Sequence, residues 1–259
     1  METIIYENSL RAQSLVDYLA RGNALSRYNK VYVLPIPSSR DGVLVSGTST
    51  PLDEALRGVN RGDLVIGYGL SAAFAKRIGD IGASLCDSSR DEKFLLENAR
   101  LTAEAALGIL LGIGGRSLSD MRVGIVGYGR ICLALLSMLL YLGARVTVFT
   151  RRADVALELA SSGVSALGYA DLGGEPLDAL VNTAPSDELW RVSGESVCSS
   201  GARVIELASG DNFPEGVSRG LNVTSYPSLP ARCFPVSAGE AWGRSVERFA
   251  CGDEEGFSE

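Results

Sequence analysis

The clearest chemical pattern in the chain is Gly127-Tyr128-Gly129-Arg130-Ile131-Cys132. Glycines at its first and third positions permit a tight turn and let a bulky anion approach bare backbone N–H groups, as a pyrophosphate requires. The last position of such a fingerprint is usually Gly or Ala, and here it is Cys132, which is small but a departure. By itself the hexamer is a weak signal, because glycine turns without a ligand are common. Its neighbours strengthen it. Arg122–Val126 is a β-branched apolar run, residues 130–142 repeat apolar side chains at helical spacing until Gly143, and Arg145–Phe149 is a second β-branched run. Strand, glycine turn, helix and strand together predict a dinucleotide held by Gly127, Tyr128, Gly129, Arg130 and Ile131. Thr150, Arg151 and Arg152 close the second strand, with no acid before Asp154. Two guanidiniums suit a 2′-phosphate, so the expected cofactor is NADP in preference to NAD; a solvated basic turn is the bland alternative.

Other polar groups fall where strands should end. Residues 177–186 read LDALVNTAPS, a buried strand closing in Asn182, Thr183 and Pro185, expected near the nicotinamide half of a dinucleotide. Residues 203–210, RVIELASG, repeat the pattern with Glu206 and Ser209; Glu206 reads as a base or as a strand-end acid with an arginine partner. A strand over residues 30–34 runs into a polar loop stiffened by Pro35 and Pro37, where Ser38, Ser39 and Arg40 could hold a carboxylate or simply make a connection. Asn98, Thr102 and Glu104 interrupt an otherwise apolar helix, and capping is the alternative for Asn98 and Thr102.

Composition narrows the chemistry. The chain has 259 residues, a net charge of −7 and no histidine. That removes a His base, any His-containing triad and His-ligated metal sites, and no metal is expected. The acidic balance offers no footprint for nucleic acid or an anionic membrane surface. The five cysteines are widely spaced, without CxxC, and read as thiols in a reducing cytoplasm. There is no signal-peptide pattern, and the longest apolar run, residues 105–113, is too short to span a bilayer.

The elements that must position these groups alternate strand and helix, which predicts an α/β protein. Residues 1–90 read as a small flavodoxin-like α/β domain, and its first helix is expected to bury Leu10, Leu15, Val16 and Leu19. Residues 91–115 read as a long buried helix crossing between domains, with a break near Asn98 possible. Residues 116–236 read as a Rossmann-type doubly wound parallel sheet, 237–251 as a helix packing back on the N-terminal domain, and 252–259 as a disordered acidic tail.

The ordered string LTAEAALGILL, VGIVGYGRI, LGARVTVFTRR, LVNTAP, VIELAS and SLPARCFPVSAG resembles the A-type subunit of the dipicolinate synthase family. The resemblance covers roughly residues 98–242 well and the first ninety loosely. More distantly the layout looks like D-2-hydroxyacid dehydrogenases, but those rely on a histidine. It implies an NADP-dependent oxidoreductase of sporulating bacteria, a cytoplasmic homo-oligomer that works beside a flavoprotein-like second subunit. Its reaction would oxidise a dihydrodipicolinate-type ring to dipicolinate. Aromatisation supplies driving force, so positioning two rings and binding two carboxylates is the protein's main task, and a histidine becomes dispensable. On this resemblance Arg232 joins Ser38, Ser39 and Arg40 as a carboxylate ligand, with Asn98 and Thr102 also facing substrate. Asn182, Thr183 and Ser209 would frame the nicotinamide, and Glu104 or Glu206 would accept a ring proton. The chain departs from the family at several points. Ser228 and Ala231 replace glycines of the proline loop, Gly210-Asp211-Asn212-Phe213 stands where a glycine pair is expected, and the N-terminal GGD-x-R reads Glu7-Asn8-Ser9-Leu10-Arg11. These departures leave open a catalytically degenerate or regulatory dinucleotide-binding subunit, or another NADP-dependent dehydrogenase.

Overall fold

The computed structural model describes residues 2–252 apart from 114, 175, 186–187, 189, 193–196, 198–200 and 209–221. The chain forms two compact units. Unit 1 comprises Met1–Asn98 with Pro230–Glu259, and unit 2 comprises Ala99–Leu229. In chain order, unit 1 contains β1 (Glu2–Ile5), α1 (Leu10–Ala20), β2 (Lys30–Val33), α2 (Leu52–Ala55), β3 (Leu64–Gly67), α3 (Ala72–Ile81) and β4 (Ser84–Asp87). Helix α4 (Glu92–Gly112) begins in unit 1 and ends in unit 2. It runs unbroken through Asn98, so the break considered there does not occur. Unit 2 continues with β5 (Arg122–Val126), α5 (Arg130–Tyr141), β6 (Arg145–Phe149), α6 (Ala153–Ser161), β7 (Ser165–Leu167), β8 (Ala179–Asn182), β9 (Arg203–Glu206) and β10 (Val223–Ser225). Helices α7 (Leu229–Cys233) and α8 (Pro235–Cys251) return the chain to unit 1.

The sheet of unit 1 is parallel throughout, in the order β1-β2-β3-β4. Its central strands carry continuous apolar runs, VYV in β2 and LVIG in β3, because both faces are covered. Leu15 and Leu19 of α1 and Trp242 and Val246 of α8 pack on one face with Val31, Val33, Leu64 and Ile66. Leu52 of α2 and Phe74 and Ile78 of α3 cover the other with Tyr32 and Val65. The flavodoxin likeness therefore extends to helices on both faces of a parallel sheet, whereas the strand order here is sequential.

Helices α1 and α8 meet through glycines. A Cβ on Gly239 would lie 2.5 Å from the Arg11 carbonyl oxygen and from Ser14 Cβ, and one on Gly243 would enter the Tyr18 ring. The buried face of α1 carries Arg11, Ala12, Leu15 and Leu19, while Leu10 is exposed. The expected stripe placed Leu10 inward; the true stripe steps by four from Arg11, a spacing that a charged residue disguises.

The sheet of unit 2 is also parallel, in the order β7-β6-β5-β8-β9-β10. This is the doubly wound Rossmann order, and it reverses between β5 and β8. Val123, Ile125, Val148, Val181 and Ile205 form its core with Leu135 and Leu139 of α5. Residues 226–235, expected to be loop, contain α7 and the start of α8. Pro230 and Pro235 stand in the first turns of those helices, where a missing N–H costs nothing. Ser228 precedes them at φ +56°, a left-handed conformation that favours glycine. Gly252, also left-handed, closes α8; residues 253–259, read as a disordered tail, lie outside the described residues. Among the described residues no helix is long and apolar enough to cross a membrane.

Candidate dinucleotide site

The strand ends of unit 2 fall in one row. Val126 pairs in register with Phe149 on one side and Asn182 on the other, and Asn182 pairs with Glu206. The residues that follow, Gly127, Thr150, Thr183 and Leu207, therefore leave the sheet side by side at the reversal point, where open α/β sheets bind ligands.

Gly127 must be glycine for two reasons. Its φ is +95°, and a Cβ would lie 3.0 Å from Thr183 Oγ1 and 3.1 Å from Ala184 Cβ. Its N–H donates to the Phe149 carbonyl at 2.9 Å, which fixes the turn. Gly129 is glycine for another reason. Its backbone is extended, at φ −110° and ψ −172°, and a Cβ there would meet nothing within 4 Å. The space beside Gly129 is open, and it lies at the N-cap of α5. With no side chain at that position, Gly129 gives α5 no side-chain cap, and a helix start of this kind suits an anion. Tyr128 and Ile131 are half-buried, and Arg130 is exposed. Cys132 is fully buried under α5, and burial pushes its thiol up to about 12, so it is packing and not a nucleophile.

Thr183 ties β8 to the turn. Its N–H and its Oγ1 both donate to the Val126 carbonyl, at 3.0 and 2.7 Å. Asn182 is fully buried; its Nδ2 donates to Glu206 Oε2 at 2.8 Å and its Oδ1 accepts from Ala184 N–H at 3.2 Å. Glu206 Oε1 accepts from Ala208 N–H at 2.8 Å. A carboxylate this buried is tolerable because both oxygens are bonded, and Glu206 orients the Asn182 amide. Pro185 follows on the surface, and Ser209 lies outside the described residues.

At the end of β6, Thr150 is buried and its Oγ1 accepts from Arg152 N–H at 3.2 Å. Arg151 pairs with Glu188 at 2.6 Å and Arg152 with Asp154 at 2.7 Å. Donating to those carboxylates raises both guanidiniums above their ordinary values, and the Arg152 guanidinium lowers Asp154 in return. Arg152 is the N-cap of helix α6, which, like α5, lacks a side-chain cap. The fit to a dinucleotide thus rests on an uncapped helix, open space at Gly129 and two solvent-facing guanidiniums. Among the described residues no group of three or more Cys, Asp or Glu could hold a metal.

The expected substrate residues divide between the two units. Ser38 is fully buried; its Oγ accepts from Tyr68 N–H at 2.7 Å and its own N–H donates to the Tyr68 carbonyl at 3.0 Å. It clips the loop after β2 to the loop after β3. Ser39 is half-buried and donates to Asp41 Oδ1 at 3.1 Å, while Arg40 is exposed. Hydrogen bonds from Leu44 and Val43 N–H hold the Asp41 carboxyl below its ordinary value. In α4, Asn98 is half-buried, Thr102 is buried, and Glu104 is bonded to Arg100 at 2.5 Å one turn away. Arg232 is exposed on α7. The structure gathers Gly127–Ile131, Thr150–Arg152, Asn182–Pro185 and Glu206 in unit 2, which also holds Thr102 and Glu104; Ser38–Arg40, Asn98 and Arg232 belong to unit 1.

Two polar centres escaped the sequence reading. Arg11 is 5 % exposed, pairs with Glu7 at 3.0 Å, and stacks over Trp242 with its guanidinium carbon 5.6 Å from the ring centroid. Its i, i+4, i+8 spacing with Leu15 and Leu19 was the available signal. Asp87, at the end of β4, accepts from Gly69 and Leu70 N–H at 2.9 and 3.1 Å. A strand-end acid before two serines was its only mark.

No family model matches the chain, and no curated protein matches it. Solved structures match by fold. The A-type subunit of dipicolinate synthase from Bacillus halodurans superposes with a TM-score of 0.76 at 17% identity, covering 96% of this chain and 97% of that one. The corresponding dipicolinate synthase chain from Bacillus subtilis gives 0.74 at 15% identity, covering 97% and 96%. D-lactate dehydrogenase from Escherichia coli gives 0.62 at 15% identity, covering 97% and 98%. The likeness read in the sequence is thus matched in three dimensions, as a shared fold.

Proposed function

We propose that unit 2 binds NADP and that the chain is an NADP-dependent oxidoreductase of the dipicolinate synthase type. The observation that carries this reading is the uncapped N-terminus of α5 behind the Gly127–Gly129 turn, at the reversal point of a Rossmann-ordered sheet. Gly129 leaves room for the pyrophosphate against the first-turn N–H groups of α5. Arg151 and Arg152 take the 2′-phosphate, each exchanging a carboxylate partner for it. Asn182, held in one orientation by Glu206, presents a fixed edge toward the nicotinamide, and Thr183 keeps that edge tied to the turn. The cofactor supplies a hydride acceptor. The chain's task is to orient a ring whose oxidation is driven by aromatisation. The substrate is a dihydrodipicolinate-type dicarboxylate, with exposed Arg232 and Arg40 and half-buried Ser39 as the unit 1 groups considered for its carboxylates. The setting proposed with this activity is a homo-oligomer in the cytoplasm of a sporulating cell, beside a flavoprotein-like second subunit.

One observation favours a second reading, a dinucleotide-binding subunit without turnover of its own. Both carboxylates considered as the base are engaged, Glu104 with Arg100 and Glu206 with Asn182. Calorimetric titration and a turnover assay separate the possibilities. NADP is expected to bind at least about tenfold tighter than NAD, and the Arg151→Met/Arg152→Met double variant to erase the difference. Equal or tighter binding of NAD by the unmodified chain rejects the NADP assignment. With the ring substrate and NADP, dipicolinate should form and be read by its ultraviolet absorbance. Binding without product, even with a second subunit present, leaves the regulatory reading.

A further inference from the structure

NAD-binding chains usually carry an acid at the end of the second fingerprint strand, and this chain has none there. The fold supplies one from elsewhere. Arg151 follows β6 and Glu188 follows β8, and β5 with its glycine turn lies between those two strands. The Arg151–Glu188 pair, at 2.6 Å, therefore joins the strand ends on either side of the turn. Both side chains are about half exposed, at 60% and 47%, so the pair is wet and readily exchanged. Arg152 differs, because its partner Asp154 stands two residues away on the same segment.

We infer that Glu188 is an internal competitor for Arg151 and thereby sets the strength of the chain's preference between NADP and NAD. The inference rests on the dinucleotide reading of unit 2. In the absence of a 2′-phosphate, the Glu188 carboxylate holds Arg151 through Nη1. A phosphate dianion carries more charge and more acceptor oxygens than a carboxylate, so it displaces Glu188. Binding NADP thus includes breaking an ion pair that binding NAD leaves intact. Glu188 lowers NADP affinity without touching NAD affinity, and a neutral isostere should raise the preference.

The test is calorimetric titration with 2′,5′-ADP and 5′-ADP, fragments that differ only in the 2′-phosphate, on the full chain and on Glu188→Gln. An exposed ion pair is weak, so 2′,5′-ADP should tighten about threefold while 5′-ADP stays unchanged. In an Arg151→Met background the same Glu188→Gln change should have no effect on either fragment, because the competitor has lost its target. An unchanged ratio of the two fragments in Glu188→Gln overturns the inference. So does weakened 5′-ADP binding, which would make Glu188 an acceptor for the ribose hydroxyls instead. If neither fragment binds the unmodified chain, the dinucleotide reading itself fails and the inference falls with it; that result is distinct from binding without a Glu188 effect.

Discussion

Units 1 and 2 follow one plan, a parallel sheet with helices entering beyond the carboxyl ends of its strands, yet they differ in how often a side chain caps those helices. In unit 1 three helices are capped by their own side chains, while α2 and α8 have no side-chain cap. Ser9 caps α1, Ser71 caps α3 and Asp91 caps α4, each accepting from a first-turn N–H at 3.2 or 3.3 Å. Ser38 and Asp87 bond the loops between them. In unit 2 the helices after β5 and β6 have Gly129 and Arg152 as N-caps, and neither has a side-chain cap. The sheet orders differ in the same sense. Unit 1 runs sequentially, while unit 2 reverses at the strand that carries the glycine turn. A helix start that its own sequence completes is architecture. One left without a cap, beside open space, is a place for an anion.

Four substitutions would break or sharpen that contrast. The largest effect is expected at Gly243, where a side chain would collide with the Tyr18 ring. Gly243→Val should cost about 3 kcal/mol in denaturant unfolding and leave the dinucleotide dissociation constant of the folded fraction unchanged. A matching loss of affinity would show that the two roles are not separable. Next is Gly129→Val, which places a side chain in the open space before α5. Its extended backbone accepts any residue, so stability should move by less than about 0.5 kcal/mol, while NADP affinity falls roughly hundredfold, or ~2.7 kcal/mol. Retained affinity in that variant would remove the pyrophosphate from the turn. The smallest effects belong to the caps. Ser9→Ala and Ser71→Ala should each lower stability by about 1 kcal/mol and leave NADP titrations unaltered.

Legibility in the sequence followed the same divide. The Rossmann half could be read residue by residue because its message is local: Gly127 and Gly129 sit between a β-branched strand and a helix stopped by Gly143, and the structure keeps those bounds nearly to the residue. Arg151 and Arg152 were legible as charges, but their partners were not. Asp154 is two residues from Arg152, whereas Glu188 is 37 residues from Arg151 and meets it only through the sheet order, across the end of β5. Glu206 was legible as a strand-end acid, but its bond to Asn182 depends on register between β8 and β9. In unit 1, Ser38 looked like a ligand group because polar residues after a strand usually face solvent, yet it is buried as a clip. Arg11 was missed for the converse reason. Hydrophobic periodicity assigns a charged residue outward, and it has no means of foreseeing that Glu7 and the Trp242 ring would receive a guanidinium.

Because α8 lies beyond unit 2 in the sequence yet covers Leu15 and Leu19 of unit 1, the order of synthesis matters. A ribosome releases α1 with its apolar face and Arg11 uncovered, then makes all of unit 2 before Trp242 and Val246 exist. At ~5–20 residues per second, that interval is on the order of ten seconds. Unit 2 is contiguous and free to fold within it, so the nascent chain should acquire its Rossmann sheet first and complete its N-terminal sheet last. Pulse proteolysis of stalled chains would read that sequence of events directly, as protection of residues 99–229 arriving before protection of residues 10–20.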